Sequence, residues 1–139
     1  MNAGFELFDH TADVGVRAHA ADFSGLVEPA TNGLYAVIGE LAAEGDTKRM
    51  EFTFEGDDPS TLLRDYLAEL LFAFEQESLC ATSVEVVEFS DQRLHVIGRM
   101  APVNESQSEF HREVKAVTYH ELKIQPIEGG YQATYIVDI

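Results

Sequence analysis

Glu113-Val114-Lys115-Ala116-Val117-Thr118-Tyr119-His120-Glu121-Leu122 is the stretch of this chain around which the fold is organised. It is predicted to be a β-strand because β-branched and aromatic residues recur in it without Gly or Pro. Alternate side chains of a strand point to opposite faces, so one face should be apolar and the other should meet solvent or a partner. The apolar face comprises Val114, Ala116, Thr118, His120 and Leu122, and the other comprises Glu113, Lys115, Val117, Tyr119 and Glu121. His120 is therefore expected in the core or at its rim.

The composition is typical of a single globular domain spanning residues 1–139. A hydrophobic content of 45% and nine Phe argue against disorder. No apolar run approaches the roughly 18 residues that a membrane span needs, and no secretory signal is recognisable at the amino terminus. The single cysteine, Cys80, fits a reducing compartment and is expected to be a small buried hydrophobe. We therefore expect a cytoplasmic protein that does not associate with membranes.

The charge of the chain limits its partners. Twenty-five acidic residues face nine basic ones, for a formal net charge of −16. Such a chain repels a phosphate backbone, so direct nucleic-acid binding is not expected. It is better suited to a cation or a basic protein, although the charge could also serve solubility alone.

The remaining periodicities predict an α+β domain. Helical spacing of apolar residues predicts helices over 22–38 and 57–77, the second opened by Asp57-Asp58-Pro59-Ser60. The polar stretch 102–109 is expected to be a mobile loop. Further strands are predicted at 5–8, 14–20, 48–56, 83–89, 93–98 and 131–139. We therefore predict a mainly antiparallel sheet of about six to seven strands, with two helices packed on one face.

Polar residues between the first two strands are candidates for a metal site. Asp9, His10 and Asp13 offer two carboxylates and an imidazole within five residues. This set can begin a metal site but cannot complete one. An ordinary Asx-type turn is the alternative.

Three separated motifs resemble those of the archease family. They are Phe8-Asp9-His10-Thr11-Ala12-Asp13-Val14-Gly15, the stretch 113–120 and the closing Ile136-Val137-Asp138-Ile139. Archeases are small acidic proteins that activate RNA ligases of the RtcB family. The resemblance implies an accessory protein that promotes guanylylation of the ligase by GTP and its multiple turnover in tRNA splicing and RNA repair. It implies no catalytic activity of the chain itself.

The resemblance also implies a metal ion bound by Asp13, Asp138 and the terminal Ile139. Carboxylate and terminal oxygens are hard ligands, so Ca²⁺ is expected and Mg²⁺ or Mn²⁺ is possible. Asp138 could instead simply end an outer strand.

The resemblance further implies a surface for the ligase. Glu113 and Lys115 match the charged pair of the family motif, and Lys115 could meet a phosphate or an acidic residue of the ligase. An ordinary surface pair is the alternative. The candidate partner contacts are Glu113, Lys115, Tyr119, His120, Asp9 and His10.

Two other functions compete with ligase activation. One is a general chaperone or binding module for RNA-processing proteins. The other is a metal-dependent hydrolase that would use Asp9, His10, Asp13 and His111 around a cation. The second is disfavoured because no pair of carboxylates has an assignable acid and base role, and no Ser or Cys lies in a nucleophile motif.

Overall fold

The computed structural model describes residues 1–10 and 12–139, so Thr11 of the first motif lies outside the described residues. These described residues form two α-helices, α1 (Val27–Ile38) and α2 (Pro59–Glu77), and a short 3-10 helix (Ser24–Leu26) precedes α1. The described strands are β1 (Gly4–His10), β2 (Asp13–Ala20), β3 (Gly39–Glu40), β4 (Lys48–Glu55), β5 (Leu79–Phe89), β6 (Arg93–Pro102), β7 (Glu109–Phe110), β8 (Ala116–Val117), β9 (Lys123–Ile127) and β10 (Gly130–Asp138).

The strands form two main sheets. In the five-stranded sheet the order is β1-β2-β10-β8, and β9 pairs with β10. In the three-stranded sheet the order is β4-β6-β5, while β3 and β7 form a separate two-stranded ribbon. All described pairings are antiparallel. The predicted α+β class with antiparallel strands is therefore confirmed, but the strands divide between sheets, and β3, β7 and β9 were not predicted.

The helices hold the two main sheets together. Helix α1 contacts β2 and β1 of the five-stranded sheet and β5 of the three-stranded sheet. Close approach to β2 is possible because residue 33 is glycine: a Cβ there would lie 2.5 Å from Cγ1 of Val16. Pro29 lies in the first turn, where its missing N–H is not needed by the helix.

Buried tyrosine hydroxyls join elements that are distant in sequence. Tyr135 on β10 donates to the carbonyl of Ala30 in α1 at 2.6 Å. The hydroxyl of Tyr66 on α2 lies 2.6 Å from that of Thr31 on α1. Burial raises the pKa of Tyr66 and Tyr135 well above the ordinary tyrosine value, so both stay neutral hydrogen-bonding groups. These bonds fix α1 against β10 and α2.

Helix α2 begins where the sequence predicts. Asp58 is the N-cap, and its carboxylate accepts from the Ser60 amide at 3.1 Å and the Ser60 hydroxyl at 2.8 Å. Pro59 occupies the first helical position, where a proline is well tolerated. Local signals are therefore sufficient to predict where this helix begins.

Asp58→Ala is expected to lower the free energy of unfolding by about 1 kcal/mol, since the cap bonds are lost. The hydrogen bond from the Ser60 hydroxyl contributes most to holding the pKa of Asp58 below its usual value. The stabilisation of the folded state by the ionised Asp58 carboxylate is thus present above the ordinary aspartate pKa and is lost as the pH falls through the lower folded-state pKa. Urea unfolding at neutral and acid pH measures both effects. Asp57→Ala, which removes an exposed neighbouring carboxylate, is the control, and an equal loss in both variants would contradict the assignment.

The stretch 113–122 is not one continuous strand, so that prediction is wrong. Only Ala116–Val117 forms a strand, opposite Asp138 and Val137, and the Thr118 amide still donates to the carbonyl of Ile136. Pairing with β10 resumes at Lys123, opposite Thr134. Residues 119–122 therefore stand opposite Tyr135 alone, and we call them the 119–122 bulge. The alternation of faces predicted for 113–122 is not observed. Val117, predicted on the face toward solvent or a partner, is buried, and His120, predicted on the apolar face, is exposed.

The stretch 102–109 is more ordered than the predicted mobile loop. Val103 forms a bridge with Ala43, and the hydroxyl of Ser108 donates to the carbonyl of Asn104 at 2.7 Å. The same hydroxyl accepts from the Ala42 amide at 2.8 Å. These bonds connect the stretch to the segment that follows β3.

Within residues 1–10 and 12–139, neither helix combines the length and the apolar character needed to cross a bilayer.

Candidate metal centre and partner surface

Asp13 and Asp138 are direct neighbours in the five-stranded sheet. Asp13 is the first residue of β2, Asp138 is the last of β10, and the two are cross-strand partners. Directly opposite residues point to the same face, with Cβ atoms about 5 Å apart. We call this the outer face, because the other face, which carries Val14, Val16 and Tyr135, is buried against α1. Like charges in this position destabilise a sheet unless something neutralises them.

Ile139 directly follows Asp138 and therefore lies next to this pair of carboxylates. The carbonyl of Asp138 accepts from the Lys115 amide at 2.7 Å, which ties the end of the chain to the segment before β8. The expected ligands Asp13, Asp138 and Ile139 are therefore brought together at one edge of the fold. All three offer hard oxygen donors, so the residues present fit a cation of the Ca²⁺ or Mg²⁺ type. Their role as metal ligands stays a prediction.

His10 lies beside this pair. It is the cross-strand partner of Asp13, with its Nδ1 atom 3.7 Å from an Asp13 carboxylate oxygen. Its Nε2 atom is 2.8 Å from the carboxylate of Glu121. This contact brings the 119–122 bulge across the outer face, because β10 and β2 separate it from β1 in the sheet.

The prediction that His120 occupies the core or its rim is wrong. His120 is exposed, and its ring meets the ring of His10 edge-on with centroids 5.1 Å apart. The physical reason is the bulge, which redirects the chain after Thr118. His120 remains a candidate partner contact by its exposure.

The four residues of the competing hydrolase hypothesis do not converge. Asp9 pairs with Val14, so its side chain points to the face opposite Asp13. His111 lies near Glu40 and Glu109 of the β3–β7 ribbon, whereas His10 lies near His120 and Glu121. A single cation therefore has no common site among all four.

Glu113 and Lys115 are both exposed, and neither forms an ion pair within the described part of the chain. They line a groove of about 580 Å³ together with Phe110 and Phe74. The groove runs along residues 110–115, and Lys115 connects it to the end of β10. Both charged side chains are exposed at this groove, as the expected partner surface requires, but contact with a ligase stays a prediction.

Tyr119 is exposed but held in place. Its ring packs under the Arg64 guanidinium at 4.2 Å, and Arg64 also donates to its hydroxyl at 2.9 Å. The Nε atom of Arg64 donates to the carbonyl of Val117 at 2.9 Å. The sequence does not predict this role of Arg64, since an Arg on the polar face of a helix carries no signal for it. The sequence also gives no signal for a role of Glu121, which directly follows the motif stretch 113–120.

Cys80 is buried and is not a candidate nucleophile or metal ligand. It is buried at the start of β5, as expected, and burial raises the pKa of its thiol. A buried thiol with a raised pKa is a poor nucleophile and a poor metal ligand.

The fold and the site define a small acidic α+β protein whose second and last strands are paired and carry two opposed aspartates at one end of the five-stranded sheet. The Archease protein family (MTH1598/TM1083) matches residues 5–139, and the chain belongs to this family. The resemblance of the three motifs is thereby confirmed.

Relatives and solved structures agree with the assignment. The protein archease of Methanopyrus kandleri is 33% identical, with 97% of this chain and 99% of that protein covered. The protein archease of Methanothermobacter thermautotrophicus is 34% identical, with 98% and 99% covered. The solution structure of Methanobacterium thermoautotrophicum protein 1598 matches with a TM-score of 0.76 at 34% identity, covering 98% of this chain and 99% of that one. The crystal structure of an archease, possible chaperone (TM1083), from Thermotoga maritima has the same fold, with a TM-score of 0.68 at 19% identity and 96% of each chain covered.

Proposed function

We propose that this protein binds a divalent cation through Asp13, Asp138 and Ile139 and activates an RtcB-type RNA ligase, promoting its guanylylation by GTP and its multiple turnover. The pairing of Asp13 with Asp138 on adjacent strands, at the end of the chain, is the observation that carries the proposal. The membership of the archease family supports the ligase as partner. The proposed setting is tRNA splicing and RNA repair in the cytoplasm.

The chemistry of the three residues supports a hard cation. Two opposed carboxylates and a main-chain oxygen of Ile139 provide oxygen donors and negative charge, which Ca²⁺, Mg²⁺ and Mn²⁺ prefer. A bound cation would neutralise the carboxylates and leave coordination positions for water or an oxygen of the partner. Three residues are too few to fill the six to eight positions that Ca²⁺ usually takes, so the site suits completion by a partner.

The surface next to these carboxylates supplies the contact with the ligase. The exposed side chains of Glu113 and Lys115 precede β8, and the exposed Tyr119 follows it. The Lys115 amide is bonded to the Asp138 carbonyl, so a partner that contacts Lys115 also approaches the end of the chain. A ligand shifts a conformational equilibrium only if it binds one state more tightly. Activation by such a shift requires that this surface bind the guanylylation-competent ligase more tightly than its other conformations, and delivery of the bound cation to the ligase is the alternative route.

Guanylylation of the ligase by labelled GTP tests the proposal. The native protein is expected to raise the rate of guanylylation, and Asp138→Ala or deletion of Ile139 is expected to remove most of the increase. Asp91→Ala, which removes an exposed carboxylate from the turn between β5 and β6, serves as the matched control and is expected to activate fully. Circular dichroism verifies that each variant is folded. A ligase whose guanylylation rate is unchanged by the native protein would reject activation.

A general chaperone activity is the second candidate. Exposed aromatic side chains favour it, with Phe72, Phe110 and Tyr119 exposed by 59%, 49% and 63%. Light scattering of an unrelated aggregating protein distinguishes the two functions. Protection that is equal for the native protein and Asp138→Ala, together with no effect on the ligase, would favour the chaperone.

A further inference from the structure

We propose that His10, His120 and Glu121 form a second metal site, suited to a transition-metal ion of the Zn²⁺ or Co²⁺ type. One donor atom from each of these residues lies within 4.8 Å of the other two. The closest pair is Nε2 of His10 and a carboxylate oxygen of Glu121, 2.8 Å apart. The site lies beside the Asp13–Asp138 pair but uses different side chains, and it does not depend on the activation of a ligase.

The spacing of the donors is compatible with tetrahedral coordination. Zn–N and Zn–O bonds of about 2.1 Å place neighbouring ligand atoms roughly 3.4 Å apart. The His10–Glu121 contact would therefore open by about half an ångström around an ion. His120 and Glu121 are exposed, so their side chains have room to make this adjustment.

The fold holds the backbone of this cluster in place. The Thr118 hydroxyl donates to the carbonyl of Ile136 at 2.9 Å and accepts from the His120 amide at 3.2 Å. Glu121 has a φ of 52°, a left-handed conformation that glycine adopts more easily than glutamate. A glutamate at this position therefore suggests that its side chain is used, and the side chain reaches His10.

His10 is oriented like a metal-bound histidine. Its Nδ1 atom is buried without a hydrogen-bond partner among the described residues, and it faces the Asp13 carboxylate at 3.7 Å. Histidine ligands commonly direct one ring nitrogen to a carboxylate while the other binds the metal. Asp13 would thus orient His10, while Nε2 points to Glu121 and the ion.

The donor types determine which ion the site accepts. Two imidazoles and one carboxylate favour Zn²⁺, Co²⁺, Ni²⁺ or Fe²⁺, whereas Ca²⁺ and Mg²⁺ prefer oxygen donors alone. Three protein ligands leave one tetrahedral position for water or a partner's side chain. The competing interpretation is that His10 and Glu121 form only an ion pair.

Titration calorimetry with ZnCl₂, in excess CaCl₂ to saturate hard-cation sites, tests the proposal on the full chain. The native protein is expected to bind Zn²⁺, and Co²⁺ is expected to give the strong visible absorption of a four-coordinate site. His120→Ala and Glu121→Gln are each expected to weaken Zn²⁺ binding by at least about tenfold. His95→Ala is the matched control, because it removes a histidine from another His–Glu contact, that with Glu51, and should leave Zn²⁺ binding unchanged.

Asp138→Asn separates the two metal sites. It is expected to retain the Zn²⁺ affinity of the native protein, because Asp138 is not a ligand of the second site. Unchanged unfolding midpoints of His120→Ala and Glu121→Gln without metal would show that the variants are folded. Absence of Zn²⁺ binding by the native protein would leave only an ion pair, and equal Zn²⁺ affinities of the native protein and His120→Ala would reject His120 as a ligand. Either result overturns the proposal.

Discussion

Replacing Gly39 with alanine is expected to lower the free energy of unfolding by about 3 kcal/mol. Gly39 follows α1 and pairs with Phe110 in the β3–β7 ribbon. A Cβ atom at this position would overlap the backbone carbonyl oxygen of Glu109. A backbone atom cannot move away by changing a rotamer, so the ribbon itself must separate.

Gly39→Ala is also expected to disturb the groove segment 110–115, which belongs to the expected partner surface. The carbonyl of Ile38, next to Gly39, accepts from the amides of His111 and Arg112 at 2.8 and 3.2 Å. Separating the ribbon weakens these bonds, and they position the groove segment 110–115. The Gly39→Ala variant should therefore lose order in this segment before it unfolds globally. Increased amide hydrogen exchange at His111 and Arg112 would report this local loss.

Urea unfolding of Gly45→Ala provides the control for the effect of adding a methyl group. Gly45 has a φ of 77° and nothing within 4 Å of an added Cβ. Its substitution should cost only about 1–2 kcal/mol of left-handed strain. Equal losses in the two variants would show that the ribbon can open to accept the methyl group.

The sequence predicts those parts of the fold that local signals determine. The start of α2 follows from an acidic cap and a proline, which act within one turn of the helix. Apolar residues at alternate positions of 14–20 predict a half-buried strand, and Val14, Val16 and Ala18 of β2 are all buried. Such patterns need no knowledge of the strand's partner.

The 119–122 bulge could not be predicted because its cause is non-local. Thr118 bonds to Ile136 and Lys123 pairs with Thr134, so the four residues between them must fit opposite Tyr135 alone. Nothing within 113–122 records that mismatch, since Thr and Tyr favour a strand and no Gly marks a turn. The division of the strands between two sheets is likewise set by tertiary pairing.

The candidate site was accessible from the sequence to different degrees. The family motifs predict Asp13, Asp138 and Ile139 as ligands, and the observed register makes the two aspartates cross-strand partners. The strand alternation predicts Glu121 on the face toward solvent or a partner, but in the structure its side chain extends across the sheet to His10. Arg64 approaches Tyr119 only because α2 packs near β8.

Replacing Asp138 with asparagine is expected to have opposite effects on stability without and with a divalent cation. Without metal, the variant should be more stable than the native protein by about 0.5 kcal/mol, because one of two directly opposed like charges is removed. With Ca²⁺ at a hundred times the native dissociation constant, the native protein should gain about 2.7 kcal/mol, and the variant should gain almost none. Asparagine keeps the size of the side chain, so packing does not account for the difference.

Thermal unfolding in EDTA and in CaCl₂ measures both effects on the same samples. Asp91→Asn removes one negative charge far from the pair, so it corrects for the general effect of net charge on a chain of −16. This control should gain as much from Ca²⁺ as the native protein does. The reversal of sign is the diagnostic feature, because loss of a merely structural contact would destabilise the variant under both conditions. A full Ca²⁺ gain in Asp138→Asn would exclude Asp138 as a ligand and remove the physical basis for a cation at the end of the chain.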